Sequence, residues 1–290
     1  EDKRVAEENA MLTKIKAGMS EAQLKNVVEE AQRLREAQEA PDSPEARATL
    51  PRLDLSDISR TGREHPIEVM SKESLARVGI SDATVLQHDL DTAGILYADV
   101  AFDYSMVDCE DLELMPLFTK MLMESGTSDC DLATMTRRIA TSTGGIGVSL
   151  HSDLKSSGNK ISPGDQALVY LLLRGKAVSE NIPVLFNLFG EIILTANLSN
   201  QQRAVELLRE IKAKKESAIL SSGHAFAAAR LGSRHSFLGH LNEVSAGLTS
   251  VRAAGPLLEQ ASSNWPALEA RLQRMRNAIV QRGSDSLIVN

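Results

Sequence analysis

The stretch Leu112–Leu150 constrains the fold of this chain more than any other, because its apolar pattern changes period at a defined point. Apolar residues at three- and four-residue spacing predict a buried helix over Leu112–Ser125 and a second helix that ends near Ser142. Between them, Gly126 can supply the left-handed conformation that ends a helix. After Gly144 and the glycine that follows it, the period becomes 2, which indicates a strand. The stretch therefore predicts a helix–turn–helix–strand unit.

The same two periods recur along the rest of the chain from residue 67 onwards. Period-2 runs predict strands at Ile67–Met70, Thr84–Asp89, Ile95–Asp103, Gly145–Leu154, Ala167–Ala177 and Ser286–Asn290. Period-3.6 runs predict further helices at Asn181–Leu194, from a cap at Ser199 to Ser221, at 224–231, 234–241 and 243–253, and at Pro266–Arg282. This order of strands and helices favours an α+β fold, in which an antiparallel sheet carries helices packed on one face.

The N-terminal part, residues 1–66, has a different composition from the rest of the chain. Residues 1–38 predict a helical hairpin with a turn at Gly18, in which each helix has one apolar face and is otherwise rich in Glu, Lys, Arg and Gln. Such a hairpin suits a spacer or a hinge; a coiled-coil dimerisation arm is the alternative, although the apolar seam spans few heptads. Four prolines predict an extended linker over residues 39–66, and residues 67–290 then form a larger αβ domain.

The ends of the sequence also suggest an expectation. The first residue is Glu1 rather than Met, and the last residues lie inside the final predicted strand. We therefore expect a fragment of a longer polypeptide, with the αβ domain truncated at its C-terminus.

Composition excludes several partners. The net charge is −7 and only 3% of the residues are aromatic, so a basic surface with stacking rings for nucleic acid is not expected. No apolar run reaches the length of a membrane span, and we expect no membrane partner. Cys109 and Cys130 each begin one of the two helices of the opening unit, about 22 Å apart along the first helix, which is too far for a disulfide. Free thiols, more often buried and inert than reactive, fit a reducing compartment.

Residue spacing by itself does not predict a phosphate-binding, metal-binding or catalytic site in this chain. The glycine run at 143–147 leads from a helix into a strand, whereas a phosphate loop leads from a strand into a helix. His224, His235 and His240 lack the spacing that places two metal ligands on one helix face. His151 and Asp153 share a strand face without an evident third ligand. We therefore interpret the glycine run as a tight turn and the histidines as ordinary surface residues.

Several segments nevertheless resemble a known family. Residues 116–127 read PLFTKMLMESGT, 143–149 read TGGIGVS, 174–189 read RGKAVSENIPVLFNLF and 222–231 read SGHAFAAARL. Together with the hairpin and the proline-rich linker, they resemble the organellar presequence proteases of the plant and algal type, a branch of the pitrilysin-like (inverzincin) zinc metallopeptidases. The resemblance extends over essentially all 290 residues.

The resemblance implies a peptidase of four related αβ domains, in two halves that enclose a chamber, with this chain as the hinge hairpin and the third domain. The family binds zinc through H-x-x-E-H and a distal Glu in its first domain. When this motif is aligned with the helix–turn–helix–strand unit of this chain, which we call the repeat, the two ligand positions fall on Leu117 and Met121. The general-base position falls on Lys120. These side chains cannot bind zinc, so the resemblance implies a degenerate, non-catalytic repeat with the zinc held outside this chain. His224 and Arg230 are candidates for contact with substrate in the chamber.

The function that follows is an expectation of the resemblance. The full-length protein would be an ATP-independent zinc metalloendopeptidase that degrades cleaved targeting peptides and other short unstructured peptides in the mitochondrial matrix, the chloroplast stroma, or both. Its partners would be the other domains of the same polypeptide and the peptide substrates, and this segment alone would be inactive. The alternative is a stand-alone scaffold or adaptor derived from the same fold.

Overall fold

A computed structural model of the chain describes residues 2–62, 64–80, 83–155, 167–281 and 287–290. It divides into two compact units, Glu1–Glu64 and His65–Asn290. Residues 282–286, which include the predicted end of the last helix and the start of the last strand, lie outside the described residues. Within the described part, no helix has the length and apolar character needed to span a membrane.

The first unit contains the two predicted helices and little other regular structure. Helix α1 spans Asp2–Ala17, α2 spans Glu21–Glu39, α3 spans Pro44–Ala48, and a single 3₁₀ turn follows at Leu55–Asp57. A capping box begins α2, because the backbone N–H of Gln23 donates to Ser20 Oγ while the Gln23 side chain accepts from the Ser20 N–H. The large apolar side chains of both long helices, such as Leu12 and Val28, are exposed within this structure.

The described residues of the second unit include a sheet of six strands. They are β1 (Glu68–Val69), β2 (Ala83–Gln87), β3 (Ile95–Asp103), β4 (Ile146–Leu154), β5 (Ala167–Val178) and β6 (Leu287–Val289). Their spatial order is β1-β2-β6-β3-β5-β4. Every adjacent pair is antiparallel except β2 and β6, which are parallel. The antiparallel prediction is therefore right for four pairs and wrong for this one, because β6 is not joined to β2 through a hairpin.

The same described residues of the second unit form eight helices. They are α4 (Lys72–Arg77), α5 (Met115–Glu124), α6 (Leu132–Ser142), α7 (Ile182–Thr195), α8 (Gln201–Gly232), α9 (Phe237–Ser245), α10 (Leu248–Ser263) and α11 (Trp265–Val280). Helices α5, α7, α9 and α11 contact the strands of the sheet. Strands and helices in one layered unit confirm the α+β fold class.

The core lies between the helices and one face of the sheet. Along β5, Val169, Leu171 and Leu173 are buried, whereas Leu168 and Tyr170 on the opposite face are only partly covered. Gly175 continues the buried face, and a Cβ there would lie 2.8 Å from Leu185 Cδ1 of α7. Helix α7 therefore packs directly on β5.

The helix–turn–helix–strand unit forms as its pattern predicts. Gly126 has φ of 75° after α5, and Asp131 caps α6 by accepting a bond of 2.8 Å from the Thr134 N–H. Gly145 has φ of 108° at the point where helix gives way to β4. The left-handed conformation at both glycines explains why the chain can turn so tightly at these positions.

Several helix boundaries differ from the sequence prediction; α10, for example, extends to Ser263 and not only to residue 253. Helix α8 starts at the cap Asn200 and not at Ser199, whose hydroxyl donates to Glu269 at 2.5 Å. Within α8, Ser222 has a non-helical conformation (φ −127°, ψ 27°), and this kink separates two helical segments where the sequence predicts one helix to end at Ser221 and another to span 224–231.

A buried ion-pair cluster joins the start of the repeat to the last helix. A 3₁₀ segment, Cys109–Leu114, precedes α5 and carries Asp111, which is almost fully buried. Arg271 Nε donates to Asp111 Oδ1 at 2.7 Å, and Arg274 donates to Asp111 Oδ2 at 2.6 Å, both from α11. The carboxylate is thus paired on both oxygens, as a buried charge requires.

Candidate functional site

The positions that the family resemblance aligns with a zinc motif lie on α5, and they contain no metal ligands. Leu117 and Met121 are fully buried in the hydrophobic core. Lys120 points elsewhere, and its ammonium lies 3.1 Å from Glu124 Oε1 and 3.3 Å from Glu210 Oε2. Since two apolar side chains and a cation cannot coordinate Zn²⁺, this part of the chain does not fit the metal.

Lys120 belongs to a surface network of opposite charges. Arg203 of α8 donates to Glu124 Oε2 at 2.7 Å and to Glu206 Oε2 at 3.0 Å. Partial burial by itself lowers the pKa of Lys120, but hydrogen bonds to Glu124 and Glu210 outweigh it and raise the pKa. Lys120 therefore stays an ammonium and cannot act as a general base near neutral pH.

Other metal-binding and reactive groups are also dispersed. Within the described ranges, no three His, Cys, Asp or Glu side chains lie close enough together to hold a metal ion. His151 and Asp153 are exposed on β4. Cys109 and Cys130 are free thiols, and Cys109 is exposed, which corrects its expected burial. The reason is that Cys109 opens the 3₁₀ segment one turn before the buried face begins.

The histidine and arginine proposed for the chamber lie on the second half of α8. His224 is exposed. Arg230 is half exposed, and its guanidinium donates to the buried Glu243 at 3.3 Å and to the Thr249 hydroxyl at 3.4 Å. Glu243 also accepts the Thr249 N–H at 3.0 Å, so this carboxylate covers the N-terminus of α10. A role for either residue in contacting substrate stays a prediction.

The helix-free face of the sheet is the larger candidate surface. We call it the open face, and it consists of the side chains of β3, β4 and β5 that point away from α7. In the β3–β5 register, Tyr97 lies opposite Lys176, Asp99 opposite Arg174 and Asp103 opposite Tyr170. The β4 residues on the same face are Gly147, Ser149, His151 and Asp153. Tyr97 is 58% exposed and the Arg174 side chain 66% exposed. The open face is therefore a broad, solvent-facing surface.

Charges on the open face are paired across strands. Arg174 makes two hydrogen bonds to the carboxylate of Asp99, at 2.7 and 2.8 Å, and these bonds raise the pKa of Arg174. The Lys176 ammonium lies 5.8 Å from the centre of the Tyr97 ring. Burial first and then the charge of Asp103 raise the pKa of Tyr170, so its hydroxyl remains a hydrogen-bond donor. The face offers donors, acceptors and rings, the groups that contact peptides.

Comparison with known proteins identifies the family. The family model described as peptidase M-16C associated matches residues 1–257 of this chain. The chain belongs to this peptidase-associated family. Because that match includes helices α1 and α2, the proline-containing residues after them and most of the sheet domain, it confirms the resemblance inferred from the sequence segments.

Individual relatives support the same assignment. The chain is 31% identical over 285 residues to presequence protease 1, chloroplastic/mitochondrial, of Arabidopsis thaliana, covering 98% of this chain and 25% of that protein. It is 30% identical to protein HypA of Clostridium perfringens (85% of this chain, 24% of that protein) and 26% identical to the mitochondrial presequence protease of Yarrowia lipolytica (87% and 24%). The chain spans about a quarter of the length of these curated relatives.

Sequence reasoning did not find the open face as a site. Arg174 and Lys176 alternate with buried residues on β5, which indicates that they point outward. Their partners, Asp99 and Tyr97, lie more than seventy positions earlier in the sequence. Only the β3–β5 register brings the four side chains together.

Proposed function

We propose that this chain is a non-catalytic segment of an organellar zinc peptidase that degrades cleaved targeting peptides and other short unstructured peptides without ATP. The observation that supports this is the chemistry of α5, where Leu117, Lys120 and Met121 provide no metal ligand and no general base. In this proposal zinc and catalysis belong to another part of the polypeptide. The names of the Arabidopsis and Yarrowia relatives support a location in the mitochondrion or chloroplast, that is, in the matrix, the stroma or both.

The role proposed for the second unit is to wall a chamber that holds peptide. The open face supports it, because its exposed rings and charges are already paired with one another and present a mixed surface that tolerates many peptide sequences. The role proposed for residues 1–38 is a hinge. The exposed apolar side chains of α1 and α2 are surfaces through which the hinge would contact the other domains of the same polypeptide.

The first test asks whether this segment has the chemistry of the enzyme. We expect the purified chain to contain far less than one zinc per molecule by elemental analysis, and to leave an unstructured fluorogenic peptide intact. Stoichiometric zinc, or peptide turnover that a chelator abolishes, would show that the catalytic site is inside this segment.

The second test asks whether the open face contacts peptide. In the longer polypeptide that carries this segment, Lys176→Glu reverses a charge on the open face, whereas Lys214→Glu reverses one on an exposed part of α8. We expect the first change to alter KM for basic peptides several-fold and the second to leave it unchanged. Equal effects of the two variants would argue against the chamber-wall role.

A further inference from the structure

A small cavity lies between the edge strand β4, the 3₁₀ segment before α5, and α9. It has a volume of about 160 Å³, and Tyr104, which directly follows β3, also lines it. Its β4 residues, Leu150 and Ser152, lie opposite Leu171 and Val169 of β5, whose side chains are buried. The cavity is therefore on the helix-covered side of the sheet, and we call it the edge cavity. All the described residues that line it lie within residues 104–245, so the cavity is internal to the second unit.

The floor of the edge cavity is apolar. Leu112, Met115 and Leu241 are buried there, and Leu150 is partly covered. In another protein, a cavity of about 150 Å³ that is lined by aliphatic and aromatic side chains binds benzene. The edge cavity thus has room for one six-membered ring, and burial of that ring against these side chains is favourable.

The Tyr104 hydroxyl is a polar group without a partner at the edge cavity. Tyr104 is 5% exposed, and its hydroxyl makes no hydrogen bond in the described part of the chain. Among the described side chains, the atoms that are both unpartnered and out of reach of solvent are Glu243 Oε2 and Arg276 Nε, so solvent reaches this hydroxyl through the cavity that Tyr104 lines. A tyrosine buried this deeply normally has a hydrogen-bond partner. Burial first and then the charge of Asp103 raise the pKa of Tyr104, so the hydroxyl keeps its proton.

The rim of the edge cavity is polar and neutral. Ser152 and Asn242 are exposed there, and their side chains make no hydrogen bond within the described ranges. The Ser245 hydroxyl is already satisfied, because it donates to the Leu241 carbonyl at 2.8 Å. No charged side chain is among the described residues that line the cavity, and an ion would lose its hydration there without a counter-charge. The lining therefore favours a neutral ligand.

The depth of Tyr104 determines where the polar group of that ligand lies. A ring that enters past the exposed Ser152 and Asn242 meets the buried Tyr104 with its leading end. A hydroxyl at that end can both donate to and accept from the Tyr104 hydroxyl. The other end of the ring stays at the rim, where a main chain or a short substituent remains in water.

We propose that the edge cavity binds one neutral phenol ring, whose hydroxyl bonds to the Tyr104 hydroxyl while the ring fills the apolar floor. The same chemistry is found in free phenolic compounds and in the side chain of a tyrosine in a peptide. This inference goes beyond the proposed function and does not depend on it, since a ring can bind whether or not the longer polypeptide is a peptidase.

The first test titrates the purified chain with p-cresol, the isolated side chain of tyrosine, and with toluene, which lacks the hydroxyl. The methyl resonances of Leu112, Leu150 and Leu241 report binding by NMR. We expect saturable binding of p-cresol with a Kd on the order of 0.1–1 mM. We expect toluene to bind at least about threefold more weakly, because it leaves the Tyr104 hydroxyl without a partner. Nuclear Overhauser effects between the ring and these methyl groups locate the ligand directly.

Tyr104→Phe isolates the hydroxyl, since it removes one oxygen and keeps the ring. We expect p-cresol to bind this variant about five- to tenfold more weakly, while the affinity for toluene changes by less than about twofold. A role of Tyr104 in packing alone would change both affinities equally, so the ratio of the two affinities is the measurement.

A pair of tryptophan variants tests the location. Ser152→Trp places a bulky ring at the mouth of the edge cavity and should abolish binding of p-cresol. Ser149→Trp lies on the same strand but on the open face, and should leave the affinity within about twofold. Both serines are exposed, so neither variant removes a core side chain. Circular dichroism checks the fold; if Ser152→Trp unfolds, Tyr104→Phe and the nuclear Overhauser effects decide the location.

Two blocked pentapeptides distinguish the sources of the ring. We expect Gly-Gly-Tyr-Gly-Gly to compete with p-cresol and to bind within about threefold of its affinity if the source is a peptide, and Gly-Gly-Phe-Gly-Gly to bind more weakly. Binding of p-cresol that neither peptide displaces supports the site and assigns it to a free phenolic compound.

Four outcomes would overturn the site. The first is no saturable binding of p-cresol to the purified chain, which would mean that water or another part of the chain fills the cavity. The second is binding that Ser152→Trp leaves unchanged in a folded variant, and the third is an unchanged ratio of p-cresol to toluene affinity in Tyr104→Phe. The fourth is loss of binding in a longer polypeptide that carries this segment, where we expect the Kd to stay within about threefold. Zinc content and peptide turnover, which test the proposed function, are independent of all four.

Discussion

Three side chains on α5 determine what chemistry the repeat can perform. Leu117 and Met121 are buried, and each such side chain stabilises the fold by roughly 1.5–3 kcal/mol relative to an exposed one. Lys120 is held in ion pairs at the surface. The residues thus contribute to packing and solubility, and none of them offers a donor suited to Zn²⁺.

Gly126 allows a matched test of backbone strain and crowding. It has φ of 75°, and a Cβ would lie 2.8 Å from the Cys130 carbonyl oxygen. Gly79 has φ of 80° but nothing within 4 Å of its Cβ position. We expect Gly79→Ala to lower the free energy of unfolding by about 1–2 kcal/mol and Gly126→Ala to lower it by clearly more, because backbone atoms must also move. Equal losses in urea denaturation would contradict the crowding at Gly126.

Lys215 predicts a pH dependence of stability. Its ammonium donates to the Ser245 carbonyl at the end of α9, and burial lowers its pKa to about 8. An unfolded lysine has a pKa of about 10.4, so between those values the unfolded chain binds a proton that the folded chain lacks. The Lys215 contribution to the free energy of unfolding therefore rises with pH through this window.

The variant Lys215→Met isolates that contribution. We expect the difference in free energy of unfolding between Lys215→Met and the parent chain to favour the variant at about pH 7 and to shrink toward about pH 9.5, because only the parent chain gains stability through this window. Lys214→Met, at an exposed neighbouring position, should show no such trend. A constant difference across this range would mean that Lys215 is charged and well solvated in the folded state.

At the scale of elements, the contact of α7 with β5 decides which face of the sheet is covered. Gly175 lies beneath α7, where a Cβ would be 2.8 Å from Leu185 and 3.0 Å from Phe189. Gly147 of β4 faces the open side and has nothing within 4 Å. The two glycines belong to adjacent strands of one sheet but have opposite surroundings.

Alanine substitutions at these two glycines report the arrangement. Gly175→Ala should destabilise the chain by about 1–3 kcal/mol through overpacking. Gly147→Ala should be neutral or stabilising by up to about 1 kcal/mol, because it reduces the entropy of the unfolded strand. Thermal unfolding of the two variants measures the contrast, and a destabilised Gly147→Ala would show that something covers the open face.

At the scale of the whole molecule, the chain divides near residue 64. Side chains over residues 40–62 are exposed, including Arg47, Arg52 and Arg60. We therefore expect brief trypsin treatment to cut first at these arginines and to leave a stable product that begins at residue 48, 53 or 61. N-terminal sequencing of that product is the measurement, and a dominant product that retains Glu1 would contradict the division.

Local sequence patterns were sufficient to locate most strands and helices and to assess the chemistry of α5. Periodicity located β3, β4 and β5 to within one or two residues, since burial on one face imposes a period of 2 on strands. Helix ends were located less precisely: α10, predicted over 243–253, spans Leu248–Ser263, because its contacts with α8, α9 and α11, and not a local stop signal, set its length. The zinc chemistry at Leu117, Lys120 and Met121 could be assessed without coordinates, since these side-chain types are not zinc ligands.

Which strands lie side by side is known from the three-dimensional contacts alone. The parallel insertion of β6 between β2 and β3 depends on contacts between residues about 200 positions apart, such as His88 and Asn290, which no local pattern encodes. The same holds for the pairing of Arg174 with Asp99 on the open face. Local periodicity reports whether a residue is buried, whereas register, which long-range packing sets, determines which residues lie side by side.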